Sequence, residues 1–390
     1  MTRLGSRASH RPSAMCARAL AGLLAANGTT EADRIAFGSG AAGTVELGSM
    51  LPSIVHTLEI VGPGPETLTV RRNPAAGPFR IFEVANDVAA SISGMTISGG
   101  KAENGAGISA FGPLTLTRVV LSGNEATSAS NARGAAISIP GTPSTGLLTL
   151  RESLITGNVA KVTGSAGASV VGGAVRAEGG GLIERSTIGG NTVEISSATG
   201  AVQVLGAGVE LAGTASEIRQ STITGNSIVV NQGAQNPELE GAGVFGDPTS
   251  HLIVTGSTIA ANSIDASQPG QGANVFNAEF RDSIVAAGLG ATSCAGRVTS
   301  FGFNLEDGTS CRFIQPGDLS NTDPLLSPTL ADNGGPTPAR PRPSSSRGPA
   351  ASPPSAWRSS ASPPASRARA SNASSTGAAS SPARAPSSAS

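Results

Sequence analysis

The six residues "STITGN", Ser221 to Asn226, return along the chain in close variants. "VVLSGN" ends at Asn124, "SLITGN" at Asn158, "STIGGN" at Asn191 and "STIAAN" at Asn262. Successive asparagines are 34, 33, 35 and 36 residues apart. A second phrase alternates with the first: "GAGI" at Gly105, "GAAI" at Gly134, "GGAV" at Gly172, "GAGV" at Gly206 and Gly241, and "GANV" at Gly272. Self-similarity at such a period marks a solenoid, a propeller or an array.

The residues between these phrases choose among the three. Helical repeats need stretches of ten or more residues with a 3.6-residue apolar period. Here the apolar runs are short, alternate with period two, and use Ile, Val, Thr and Leu, as in "LTLTRVVLSGN" (Leu114–Asn124). Those are short strands. Propeller blades carry aromatic signatures, and this chain has one Trp. A parallel β-helix remains, with three short strands per coil. In "STITGN" the alternation turns Thr222 outward, Ile223 inward and Thr224 outward. Leu121, Ile155, Ile188, Ile223 and Ile259 then form one core column. Gly225 and Asn226 make the corner, because both tolerate the left-handed backbone of a sharp bend. Asn124, Asn158, Asn191, Asn226 and Asn262, at one corner of successive coils, are placed to bond amide to amide as a ladder.

Composition supports a regular stack. Aromatic residues are 3% of the 390, Tyr is absent and Gly numbers 52, so the core must be built from small aliphatic groups. The zero net charge conceals a split. Eleven of the 26 basic residues lie at the two ends, four within residues 1–22 and seven from Pro338 onward, where there is no acid. The middle therefore holds 26 − 11 = 15 basic against 26 acidic residues, a net of −11. An acidic body argues against nucleic acid as a partner. No segment reaches the ~20 apolar residues of a membrane-spanning helix. The first 28 residues combine scattered Arg with the apolar "ALAGLLAANG" (Ala19–Gly28), which reads as an export signal or as a helix capping the first coil. Cys294 and Cys311 lie 17 apart in a turn-rich segment without a second pair to complete a zinc site. They read as a disulfide made in an oxidising compartment, the alternative being two free thiols.

Between each asparagine corner and the next glycine phrase lie 9 to 14 residues with little pattern, such as "VAKVTGSAGASVV" (Val159–Val171) and "TVEISSATGAVQVL" (Thr192–Leu205). They fill the same slot in every repeat, so they are expected to emerge along one edge as loops and to form the contact surface. Coils are expected over residues 29–287 and a closing cap over 288–337. Residues 338–390 are a Ser/Ala/Pro/Arg tail, a composition that builds no packed structure. It fits either a wall-associated linker or GC-rich codons read out of frame.

The segment "SIVA…CAGRVTSFGFNLEDGTSCRF…GDLSNTDPLL…LADNGGPT", Ser283 to Thr337, resembles the choice-of-anchor Q region of bacterial secreted β-helix proteins. The alternating "GAGI" and "ITGN" phrases are similar to repeats of polymorphic outer membrane proteins. "ARALAGLLAANGTTEADRIAF" (Ala17–Phe37) resembles the CSLREA-type N-terminal region of such proteins. The resemblance implies an exported, surface-associated, right-handed β-helix without defined catalytic residues.

The search for chemistry finds little. His10, His56 and His251 lie far apart, and no nucleophile-elbow or Walker phrase occurs. Glycoside hydrolysis needs paired carboxylates, and charge shows no alignment between successive repeats. Asp307, Asp318, Asp323 and Asp332 sit in turns that suit either calcium or simple turn formation; no other cofactor is indicated. The expectation is a monomeric extracellular or cell-surface adhesion module whose partner is a surface protein or glycan. The alternative is a carbohydrate-active β-helix enzyme.

Overall fold

The computed structural model describes residues 14–38, 40–141, 146–164, 167–196, 200–213, 216–230, 235–265 and 270–340. The expectation for the tail past Arg340 lies outside the described residues. The fold is a parallel β-helix. Leu148–Ala177 serve as the type coil, in which the strands Leu148–Arg151, Leu154–Thr156 and Val175–Ala177 form three walls. Each wall strand pairs in parallel with its equivalents one coil before and one coil after. We call these three walls the trunk.

The pairing register stacks identical positions. Leu121 lies opposite Ile155, Ile155 opposite Ile188, Ile188 opposite Ile223, and Ile223 opposite Ile259. All five are fully buried. Fully burying one such side chain contributes about 1.5–3 kcal/mol, so the column is a main source of trunk stability.

The asparagines occupy the corner at which the chain leaves the second wall, and each is at most 1% exposed. The Nδ2 of Asn124 donates to Oδ1 of Asn158 at 2.9 Å, and the same 2.9 Å bond links Asn158 to Asn191, Asn191 to Asn226, and Asn226 to Asn262. From Asn158 onward each Oδ1 also accepts the backbone N–H of the preceding asparagine, as from Asn158 to Asn191 at 3.0 Å, and that of Asn124 accepts the N–H of Gly100 at 3.0 Å. Each Nδ2 also donates to a core-column carbonyl, as Asn191 does to Ile155 at 3.1 Å. One amide thus satisfies a corner that would otherwise bury unpaired backbone groups. The ladder continues one rung further, through Asn274 of the "GANV" phrase, at 2.9 Å from Asn262.

The first letter of "STITGN" has an equivalent duty that its sequence context did not disclose. Ser153, Ser186, Ser221, Ser257 and Ser283 form a second ladder at the corner between walls one and two. The N–H of Ser153 donates to Oγ of Ser186 at 3.1 Å, and that of Ser186 to Ser221 at 3.2 Å. Each hydroxyl in turn donates to a carbonyl two residues back, as Ser186 does to Glu184 at 2.8 Å.

The described residues of the variable segments form strands rather than the expected loops. After Asn124, Asn158, Asn191 and Asn226 the chain forms two further strands, Val159–Val162 and Ala168–Val171 in the type coil, and after Asn262 one, Ser263–Ile264. Their equivalents assemble into a six-stranded and a four-stranded parallel sheet. The two sheets enclose a core of their own, including Ala160, Val162, Val170, Val193, Ile195, Val204, Ile228 and Val230. The three expected wall strands are therefore joined, in the central coils, by two strands of an arm. The arm turns back into the trunk at the glycine phrase. At Gly172 (φ 58°) an added Cβ would lie 2.4 Å from the Val175 carbonyl oxygen, so only glycine fits the return.

Charge also lines up between coils, contrary to the sequence reading. Glu184 is in register between Arg151 and Arg219 and pairs with them at 2.9 and 3.0 Å. Arg185 pairs with Glu152 at 2.6 Å. Sequence spacing hid this because repeats of unequal length bring positions 33 to 36 apart into one row.

Both ends are closed. Helix α1, Ala14–Ala26, lays Leu23 and Ala26 into the first-coil core, over an apolar cavity of about 20 Å³ that Ile35, Phe37 and Val45 help to line. At the other end the second wall extends past the expected last coil, through Leu305 to Leu319. Cys294 and Cys311 form a disulfide with Cα atoms 4.9 Å apart. Closing a loop of this size is worth about 3 kcal/mol in the chain-entropy account. Phe280 meets Phe313 edge-on at 5.4 Å nearby, and the buried Glu306 carboxylate accepts from the N–H of Cys311 and of Phe313 and from the Ser320 hydroxyl. The chain then returns along the outside of the second wall. Thr187 Oγ1 lies 2.9 Å from Thr337 Oγ1 and 2.5 Å from the Pro338 carbonyl oxygen. Thr187, Thr222 and Thr224 point outward yet are buried.

Candidate functional site

Where the arm turns back into the trunk, the outer face of the four-stranded sheet meets the outer face of the third wall at an elbow. The wall contributes a row in register: Ser138, Arg176, Glu210 and Phe245. The sheet contributes Arg133, Val171, Leu205 and Glu240, each immediately before a corner glycine. Further out on the same sheet face, two residues earlier in each strand, lie Asn131, Ser169, Gln203 and Glu238. These four help to line an open hollow of about 380 Å³.

The electrostatics of the elbow differ from the rest of the surface. Arg176 is 7% and Glu210 4% exposed. Arg176 pairs with Glu178, whose Oε2 accepts the N–H of Gly141 at 2.9 Å. Burial lowers the Arg176 pKa, and nearby Arg133 adds to that while Glu178 and Glu210 oppose it. Burial pushes Glu210 up to about 7; Arg176 opposes the rise, and Glu178 and Asp247 add to it. Burial likewise raises Glu240 to about 7, with Glu238 adding. Three buried polar atoms here have no hydrogen-bond partner: Nε of Arg133, Nε of Arg176 and Oε2 of Glu210. Native structures satisfy most such groups, so a cluster of exceptions needs an explanation. Perturbed carboxylates beside unpaired cations mark functional-site candidates.

Sequence reasoning singled out none of these side chains. Residues it did single out serve the frame: the asparagines, the core column and the cysteines all lie in the trunk or its cap. The four turn aspartates accept from neighbouring groups. Asp307 takes the N–H of Ala287, Asp318 those of Asn304 and Gln315, Asp323 that of Leu325, and Asp332 that of Gly334. No group of three or more His, Cys, Asp or Glu among the described residues could hold a metal ion. His251 lies 3.1 Å from Glu279, and His10 falls outside the described residues.

A second hollow, of about 480 Å³, opens beside the first arm strands and is lined in part by Arg80, Glu83, Lys101 and Glu103. Its charges are largely spent on one another: Arg80 pairs with Glu83, and Lys101 with Glu125 at 3.0 Å. The elbow and the adjoining sheet face are the stronger candidate. No family model matches the chain, and no curated protein or solved structure matches it. No described helix is long and apolar enough to cross a membrane.

Proposed function

We propose that this is an exported, extracellular or cell-surface β-helix protein that works as an adhesion or interaction module, with the arm as its contact surface. One observation carries the reading. The trunk pairs exterior charges such as Arg151 with Glu184 and Arg185 with Glu152 across coils, while among the described residues no salt bridge joins Arg133, Glu210 or Glu240 at the arm face and elbow to another side chain. The resemblance to secreted β-helix proteins and the disulfide, which calls for an oxidising compartment, support export. Display on a stacked sheet holds contact groups more rigidly than loops would.

The alternative, a carbohydrate-active enzyme, draws support from Glu210, whose pKa near 7 suits a general acid. Against it stands the 4% exposure of that residue, which keeps the carboxyl out of reach of a polymer chain. Adherence of the purified chain to immobilised cell-surface material is the test. Ser169→Lys on the arm face should abolish adherence with unchanged melting, and Arg151→Gln on the trunk should leave it intact. Glycan depolymerisation that disappears in Glu210→Gln would instead establish the enzyme reading.

A further inference from the structure

The arm face has a polarity along the helix axis. Its first rung carries Asn131 and Arg133, its middle rungs Ser169 and Gln203, and its last rung Glu238 and Glu240. A cation thus stands at one end, neutral hydrogen-bonding groups in the middle and carboxylates at the other end. The Arg133 guanidinium has no hydrogen-bond or ion-pair partner among the described residues, and its Nε is buried without an acceptor. Arg176 stands close by but is already engaged by Glu178. Gln203 Nε2 bonds Glu238 Oε2 at 2.7 Å, which leaves the amide oxygen of Gln203 and the second oxygen of Glu238 to accept from a ligand.

From this arrangement we infer that the arm face binds a carboxylate-bearing oligosaccharide laid along the helix axis, with its acid group on Arg133 and its hydroxyls on Ser169, Gln203 and Glu238. The inference rests on the contact role proposed for the arm. Arg133 and Glu238 lie three rungs apart, roughly 14 Å at the ordinary strand spacing, enough for several sugar rings. Arginine matches a carboxylate with two parallel donors, and carboxylate and amide acceptors suit hydroxyl donors. An acidic peptide would need pockets for alternate side chains or a free strand edge, whereas this face offers a row of polar side chains with at least one on every rung. A nucleic acid would require several unpaired cations, and Glu238 and Glu240 oppose it.

Titration of the full chain with glucuronosyl-xylotriose, which carries a single carboxylate, a neutral cellotetraose and a tetraglutamate peptide tests the inference by calorimetry. Glucuronosyl-xylotriose is expected to bind. Arg133→Gln should weaken it at least about tenfold, as expected for losing a charge-assisted pair, and Gln203→Ala should weaken it by a smaller factor. Lys161→Gln, on the six-stranded sheet, should leave binding unchanged. Arg133 is only half-buried, so an unchanged melting curve shows that Arg133→Gln still folds. Equal binding of tetraglutamate, an Arg133→Gln variant that binds normally, or no binding of glucuronosyl-xylotriose would each overturn the inference. Cellotetraose binding that is lost in Gln203→Ala but kept in Arg133→Gln would overturn the acid-group assignment while leaving the arm as the contact face.

Discussion

Trunk and arm are made by the same coils yet solve different problems. The trunk buries a branched aliphatic column, closes its corners with serine and asparagine ladders, and cancels its surface charge in pairs such as Arg151–Glu184–Arg219. Little is left over for anything else. The arm has a thinner core of Ala and Val with a few Ile and Leu; its six-stranded sheet pairs Lys101 with Glu125 and Lys161 with Glu194, while the outer face of its four-stranded sheet keeps polar groups in reserve. A side chain that completes its neighbours cannot also meet a partner without breaking something. A repeat protein that must both stand and bind therefore divides the two tasks between surfaces.

The comparison can be broken most severely at the ladder. Asn191→Ala removes the acceptor for the Asn158 side chain and backbone N–H and one donor to the Ile155 carbonyl. At about 1–3 kcal/mol for each buried group left unsatisfied, the loss should reach about 4 kcal/mol in chemical denaturation. Gln203→Ala on the arm face should cost less than about 0.5 kcal/mol. Near-equal losses would mean that the two surfaces are not divided as described.

The elbow makes a prediction about pH. Glu210 titrates near 7 in the folded protein against an ordinary 4.5, so the folded state holds this proton more tightly than the unfolded chain does. Its contribution is fully present below about pH 4.5 and is lost as pH rises through 7, amounting to up to about 3 kcal/mol. Glu125 and Glu194 are lowered by hydrogen bonds from Thr127 and Lys161, and in Glu184 bonds from Arg151 and Arg219 outweigh burial. Their contribution is lost only as pH falls below the ordinary carboxylate range. Glu240, also raised to about 7, adds to the Glu210 loss as pH rises. Unfolding free energy should therefore decline from pH 5 to 8, and Glu210→Gln should make that decline shallower while the Glu240 part remains. A flat wild-type profile would show that Glu210 and Glu240 are not buried as described.

Two smaller effects sharpen the contrast. Val204→Ala removes two methyl groups from the arm core and should cost roughly 2 kcal/mol; no effect would mean that the arm core is not packed. Arg219→Gln weakens one exposed-side pair and should cost less than about 1 kcal/mol.

Much of the trunk was legible because its constraint is periodic. Ile188 and Ile223 occupy the same place in the same phrase, and every coil must turn the same corner. The arm escaped notice although a signal was present. Counting two and four residues past each asparagine reaches Ala160 and Val162, then Val193 and Ile195, then Ile228 and Val230, all buried. Counting two residues back from each glycine phrase reaches Val170, Val204 and Leu239, also buried. Segments of unequal length between fixed ends masked this alternation when they were read as single loops. The elbow was harder still. Arg176 and Glu210 become neighbours only through register, and nothing local in "AVRAEGG" or "GVELAG" marks them. The return of Thr337 and Pro338 onto Thr187, 150 and 151 residues away, has no local signal at all.

Hydrogen exchange read by mass spectrometry tests the central claim most directly, since stacked arm strands and solvated connectors differ most in their backbone amides. Amides of Val159–Val162, Thr192–Ile195, Ala201–Leu205 and Ser227–Val230 pair between coils. They should exchange on the order of a hundredfold or more slowly than an unstructured peptide. Exchange of those amides at unstructured-peptide rates, with the trunk strands still protected, would contradict the account.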